Sequence, residues 1–227
     1  MATALTTEAT REYALQAGAD VFGIAGSDRF GAAPAGFHPT DVLPECRSVI
    51  VLGATFPAEV LGDGAEYTAS RNAMLSAMTR MAKDVAKRLK PHGYKTKVIS
   101  AAGGKWVESG EKKEQYGEIS LKHAAQIAGL GTIGKNNLLT HPQYGNLLWF
   151  SAILTDAVLT PGETAQFSLC DGCNLCVEAC PAGALSDPAT FGRKGCARFF
   201  TIEHKKFLIK CFACRAVCPH RAGWIRR

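Results

Sequence analysis

The apolar positions of this chain change their period along its length. Between residues 68 and 90, Met74, Met78, Met81, Val85 and Leu89 recur at spacings of four, three, four and four, which aligns them on one face of a helix. Pro91 and Gly93 end that helix, and its methionines read as core filler. Asp20–Ala25, Ser48–Thr55, Tyr94–Ile99 and Asn146–Leu154 are short apolar runs of strand length. Residues 6–18 predict a helix with Thr6 or Thr7 as its cap and Gly18 as its stop. Leu121–Ala128 predicts another, capped by Ser120 and stopped by Gly129. Residues 26–44 hold three Gly and three Pro and read as loop. Residues 101–118, rich in Gly, Lys and Glu, read as a long mobile loop of the kind that closes over a site. Helix and strand alternate up to about residue 160, the pattern of an α/β fold. Pro161 and Gly162 then mark a boundary, so two domains are expected, 1–162 and 163–227.

After that boundary the chemistry changes. The chain has nine cysteines, and eight of them fall between 170 and 218. Its start carries no basic segment followed by an apolar block, so no secretory leader is read there and a cytoplasmic location is expected. Clustered cysteines in that setting point to metal and away from disulfides. The apolar runs, about ten residues at most, are half of what a membrane-spanning helix needs. With 47% hydrophobic and 20% charged residues, the composition also excludes general disorder.

Cys170-x2-Cys173-x2-Cys176-x3-Cys180-Pro181 is the bacterial ferredoxin spacing. Three close thiolates wrap three corners of one 4Fe–4S cube, and the fourth turns away to the other cube. The second run, Cys211-x2-Cys214-x3-Cys218-Pro219, lacks its first member, because position 208 is Leu. Cys196 is the cysteine nearby that supplies the missing thiolate. The expected ligands are therefore Cys170, Cys173, Cys176 and Cys218 on one cluster, and Cys180, Cys196, Cys211 and Cys214 on the other. Zinc fits poorly, since four-cysteine zinc sites use pairs separated by a longer gap. Cys46, alone before a strand, is expected to be an ordinary small residue.

The charge is equally lopsided. Residues 193–227 carry ten Lys and Arg against one acid, while residues 1–192 are slightly acidic. A basic tail suggests nucleic acid. Two cubes with eight thiolates are themselves anionic, however, and Lys205, Lys206, Lys210, Arg215, Arg221, Arg226 and Arg227 are expected chiefly to balance them. Gly129-Leu130-Gly131-Thr132-Ile133-Gly134 has the form of a dinucleotide fingerprint but follows a helix, where the fingerprint needs a strand. Its backbone N–H groups, with Lys135, Asn136 and Asn137, suit a large polar cofactor or an anion.

Three stretches together carry a resemblance. They are Arg47–Gly53; Leu121–Ala125 continuing through Ala128–Asn136 to Tyr144-Gly145 and Ile153–Asp156; and Cys196–Glu203 before the second cysteine run. In order and content they resemble the epoxyqueuosine reductase family and its reductive dehalogenase relatives. The resemblance implies a nitroreductase-like domain holding cobalamin and a ferredoxin-like domain with two 4Fe–4S clusters, and it supports Cys196 as a ligand. It departs at three places. Ser100 stands where an acid is expected after a strand, Arg71-Asn72-Ala73 stands for an Asp-Tyr-His step, and the chain ends nine residues after Cys218. The features tied to queuosine are therefore expected to be lost.

The expected function is an iron–sulfur oxidoreductase that passes low-potential electrons to a bound cobalamin and reduces a small substrate. Gly131, Gly134, Lys135 and Asn136 would line the cobalamin in a cleft between the domains. Tyr116, Glu118 and His123 are the candidate proton donors. The alternative is an electron-transfer or corrinoid-activating protein without a substrate of its own, with flavin as the alternative cofactor. Expected partners are a low-potential donor such as a ferredoxin or flavodoxin, and a small molecule or another redox protein. Neither a membrane nor transfer RNA is expected as a partner.

Overall fold

The computed structural model describes residues 5–109, 112–185, 192, 195–196, 200–203 and 206–225, with backbone alone at 105–116 and 200–207. It is a mixed helix and strand fold. The elements are α1 (Thr7–Gln16), β1 (Val21–Gly26), α2 (Pro39–Val42), β2 (Ser48–Thr55), α3 (Gly64–Leu89), β3 (Thr96–Ile99), β4 (Lys105–Ser109), β5 (Lys112–Tyr116), α4 (Leu121–Ile127), β6 (Thr132–Ile133), β7 (Leu139–Thr140), β8 (Leu148–Thr155), α5 (Leu175–Glu178), β9 (Phe200–Glu203), β10 (Lys206–Ile209) and α6 (Ala213–Ala216).

The chain divides into two compact units, each assembled from separated segments. One comprises residues 1–54, 74–130 and 149–165, and the other 55–73, 131–148 and 166–227. The last crossing, at 165/166, lies close to the expected boundary at 162/163. The second unit also draws on two earlier stretches that the cysteine pattern does not mark. Helix α3 contributes Gly64–Ala73 to this unit and the rest of its length to the first.

In the first unit, the main sheet has the order β1-β2-β8-β3. β1 pairs antiparallel with β2, and β3 antiparallel with β8. The buried strand residues Ile24, Ile50, Leu52 and Ile153 meet Met78, Met81, Val85 and Leu89 of α3 in one core. The helical face read from the spacing is thus the buried one, with Met74 packed at its edge. Cys46 is 2% exposed and its thiol donates to the Ser48 carbonyl, an ordinary buried position.

The termini of several elements follow local chemistry. Thr6 Oγ1 accepts from the Ala9 N–H at 3.1 Å and opens α1. α3 begins four residues before the predicted start, because Asp63 Oδ1 accepts from the N–H groups of Ala65 and Glu66 at 2.7 and 2.9 Å. Within the expected loop 26–44, Pro39 opens the short α2, and His38 and Asp41 form a reciprocal capping box.

One expectation needs correction. Residues 101–118 are not a structureless loop, since β4 and β5 pair antiparallel from Lys105↔Tyr116 to Ser109↔Lys112. In and beyond the glycine segment, β6 and β7 form a short antiparallel ladder across Thr132↔Thr140 and Ile133↔Leu139. Among the described residues, no helix is long and apolar enough to cross a membrane.

Candidate metal centre

The second unit brings the eight cysteines together in two sets. Cys170, Cys173, Cys176 and Cys218 line one pocket with Gly134 and Asn136. The thiols act on one another largely within these groups. Cys176 is pushed up by burial and then by Cys170, Cys218 and Cys173, and Cys218 by burial and then by Cys170 and Cys173. Cys196 is pushed up by burial and then by Cys211 and Cys180. Cys214 rises to about 11, through burial first and then through Cys196, Cys211 and, across the two sets, Cys176. Burial and these neighbours disfavour the thiolate at Cys176, Cys196, Cys214 and Cys218, so metal binding there must release protons.

The glycine segment holds this arrangement in place. The Lys135 backbone N–H donates to Cys170 Sγ at 3.4 Å, and its Nζ donates to the Cys173 carbonyl and to Asn174 Oδ1, both at 2.8 Å. Asn136, 5% exposed, reaches the Cys214 carbonyl at 3.4 Å with its Nδ2. A Cβ on Gly134 would stand 3.2 Å from Cys170 Sγ, so only glycine lets the backbone come this close. Gly131 has φ +150° and a Cβ there would meet the Thr140 carbonyl. Three of the four residues expected to line a cobalamin thus direct their polar groups or their backbone at the cysteine loops.

Asn146 offers a further test of fit. It is fully buried, and its side-chain amide makes no hydrogen bond of ordinary geometry among the described residues. Its effect falls on Cys218, where it favours the ionised thiol. An amide donor left over beside a cysteine suits a cluster sulfur, which accepts such bonds. The donor set, the close glycine and this orphaned amide all fit an iron–sulfur cluster.

The candidate proton donors lie in the first unit. Glu118 is held by Lys97 at 2.9 Å. His123 bonds Ser120 Oγ at 2.6 Å and borders a cavity of about 300 Å³ with Arg29, Phe30 and Phe37. Burial and the charge of Lys122 hold its imidazole below the ordinary value, so it is neutral near pH 7. Burial also brings Lys122 down to about 8, a titratable group that the sequence pattern does not single out. The side chain of Tyr116 lies outside the described ones. Of the basic tail, Arg215 is buried, Lys210 and Arg221 are exposed, and the side chains of Lys205, Lys206, Arg226 and Arg227 lie outside the described residues.

Fold and cysteine sets define an iron–sulfur protein, and residues 166–186 match the 4Fe–4S binding domain family. An epoxyqueuosine reductase of Synechocystis is 30% identical over 193 residues, 82% of this chain and 60% of that protein. A crystal structure of an epoxyqueuosine reductase with a tRNA-Tyr epoxyqueuosine-modified stem loop matches 95% of this chain and 65% of its own, with a TM-score of 0.69 and 22% identity. A reductive dehalogenase, whose structure is described as suggesting a mechanism for B12-dependent dehalogenation, matches 78% of this chain and 25% of its own (TM-score 0.61, 20% identity). The chain is a short relative of the epoxyqueuosine reductases. It spans 31% and 62% of the lengths of two further curated relatives, from Listeria monocytogenes and Bacillus subtilis.

The comparison overturns one expectation. Transfer RNA was set aside as a partner because the basic tail was assigned to balancing the clusters. The neighbour that shares this fold is bound to a tRNA stem loop, and Lys210 and Arg221 of the tail are exposed.

Proposed function

We propose that this chain is an iron–sulfur oxidoreductase that carries single low-potential electrons through two 4Fe–4S clusters to a cobalamin, for the reduction of a modified nucleoside in transfer RNA. Cys170, Cys173, Cys176 and Cys218 would hold one cluster, and Cys180, Cys196, Cys211 and Cys214 the other. The observation that carries this reading is the gathering of the first four thiols around one pocket, closed by Gly134 and bonded by Lys135. The curated relatives support the substrate class through the activity in their name. The dehalogenase neighbour supports cobalamin over flavin. Cobalamin, when bound, supplies a reduced cobalt of strong nucleophilic character. The part of this chain that would meet it is the backbone of Gly131–Asn136, since the side chains of Lys135 and Asn136 bond the cysteine loops.

In such a reaction an external donor of the ferredoxin or flavodoxin type supplies two electrons, one at a time. The epoxide oxygen takes up two protons and leaves as water, and a carbon–carbon double bond forms. Lys122 and His123 are the candidates for moving protons, since Glu118 is tied to Lys97.

The test is anaerobic reconstitution followed by titration. About eight irons per chain are expected, since each cube takes four cysteines, and Cys196→Ala should impair one of the two clusters. The loaded protein should bind cobalamin, and with a low-potential donor it should convert an epoxyqueuosine-modified tRNA stem loop. No cobalamin binding at high micromolar concentration would remove the enzyme reading and leave an electron-transfer module.

A further inference from the structure

One cation of the basic tail is buried where Lys210 and Arg221 are exposed. Arg215 follows Cys214 on α6 and precedes Cys218 by three residues, and it is only 4% exposed. Its guanidinium lies 4.9 Å from the centre of the Phe56 ring. Tyr67 stands at 6.0 Å from Phe56, edge to face, and at 5.1 Å from Phe212. The guanidinium donates to the Tyr67 hydroxyl oxygen. An aromatic cage of Phe56 and Tyr67, the latter backed by Phe212, therefore seats a buried charge beside the cysteine loops.

Burying a guanidinium is costly unless an anion compensates it. Aromatic faces attract a cation but do not neutralise it. Cys214 adjoins Arg215 in the chain and the Cys218 N–H donates to the Arg215 carbonyl at 3.4 Å, and both sulfurs, which become anionic on holding a cluster, favour the charged guanidinium. Those two cysteines belong to different sets, one to each cluster. Each reduction adds one negative charge to a cube, and a nearby fixed cation favours the reduced form.

Accepting the two-cluster reading above, we propose that Arg215 is a counter-charge shared by both clusters and raises the reduction potential of each. It is a positioning residue and touches no substrate. The aromatic cage keeps the guanidinium dry and in register with Cys214 and Cys218, so that its field is little weakened by water.

The experiment is an electrochemical titration of the reconstituted full chain, followed by electron paramagnetic resonance, on the parent and on Arg215→Gln, Arg215→Met and Arg215→Lys. Iron is assayed on each sample first. A parent that holds no clusters would overturn the underlying reading and not this one alone. With iron retained, Arg215→Gln and Arg215→Met should lower both potentials. The expected shift is at least about tenfold in the reduced-to-oxidised ratio at a fixed solution potential, or about 59 mV for a one-electron couple. Arg215→Lys, which keeps the charge, should recover most of that shift. Loaded neutral variants with unchanged potentials would overturn the proposal. If both neutral variants fail to hold iron while Arg215→Lys holds it at parental potentials, the charge is still what the site requires. If Arg215→Lys fails as well, the requirement is packing against Phe56, and the proposal falls.

Discussion

Asn146 is the residue whose chemistry depends most on metal. Without a cluster its buried amide is an uncompensated polar group, a penalty of about 1–3 kcal/mol. Asn146→Leu should therefore stabilise the iron-free protein against urea by about that amount, while the loaded variant should lose iron faster on exposure to a chelator. Equal iron retention in parent and variant would show that the amide does not serve the cluster. Cys46 makes a separate prediction. Burial raises its thiol to about 11 from an ordinary value of 9.0. The folded chain keeps the proton where the unfolded chain loses it. This contribution is fully present below pH 9 and disappears as the pH rises towards 11. Unfolding of the parent between pH 9 and 11 should lose about 2 kcal/mol more than that of Cys46→Ala; parallel pH profiles would refute this. The cysteine runs stand out in the sequence because the spacing within each is local. Arg215 and Asn146 do not. Arg215 takes its burial from Phe56 and Tyr67, about 150 residues earlier in the chain, and no spacing rule announces such a contact.

At the scale of elements, strand β2 carries a tight packing constraint. Gly53 sits opposite Val21 in the β1 ladder, and a Cβ there would meet Val21 Cγ2 at 2.5 Å and Phe150 Cε1 at 2.9 Å. Gly53→Ala should destabilise the protein by about 1–3 kcal/mol through overpacking, read as a lower midpoint in thermal unfolding with the iron content unchanged. The long helix and the apolar strands were readable because their periodicity is strong and their faces are buried. The β4–β5 hairpin was not. Lys105–Ser109 and Lys112–Tyr116 are mostly polar, so no period of two stands out to mark the strands. The start of α3 was misplaced for a similar reason. Asp63 is an effective cap, but it precedes Gly64 and Ala65, which give no apolar periodicity to mark a helix.

For the whole molecule, the sequence separates an α/β part from a cysteine-rich part, and the mixed helix and strand fold agrees with that class. What the sequence hides is that the cysteine-rich unit recruits residues 55–73 and 131–148. Ile209 donates its N–H to Thr68 Oγ1 at 2.9 Å, and Lys135 holds the Cys170–Cys173 loop. A fragment of residues 163–227, expressed alone, should therefore take up less iron than the full chain and shed it sooner. A fragment that held the full complement stably would show that the cysteine loops need no support from the earlier segments. The same interleaving has a consequence for biogenesis. As the ribosome works from the amino end, the scaffold strands and the struts at 55–73 and 131–148 emerge first and wait. The last of the eight cysteines, Cys218, emerges only after both, so a nascent chain stopped before it offers an incomplete cradle.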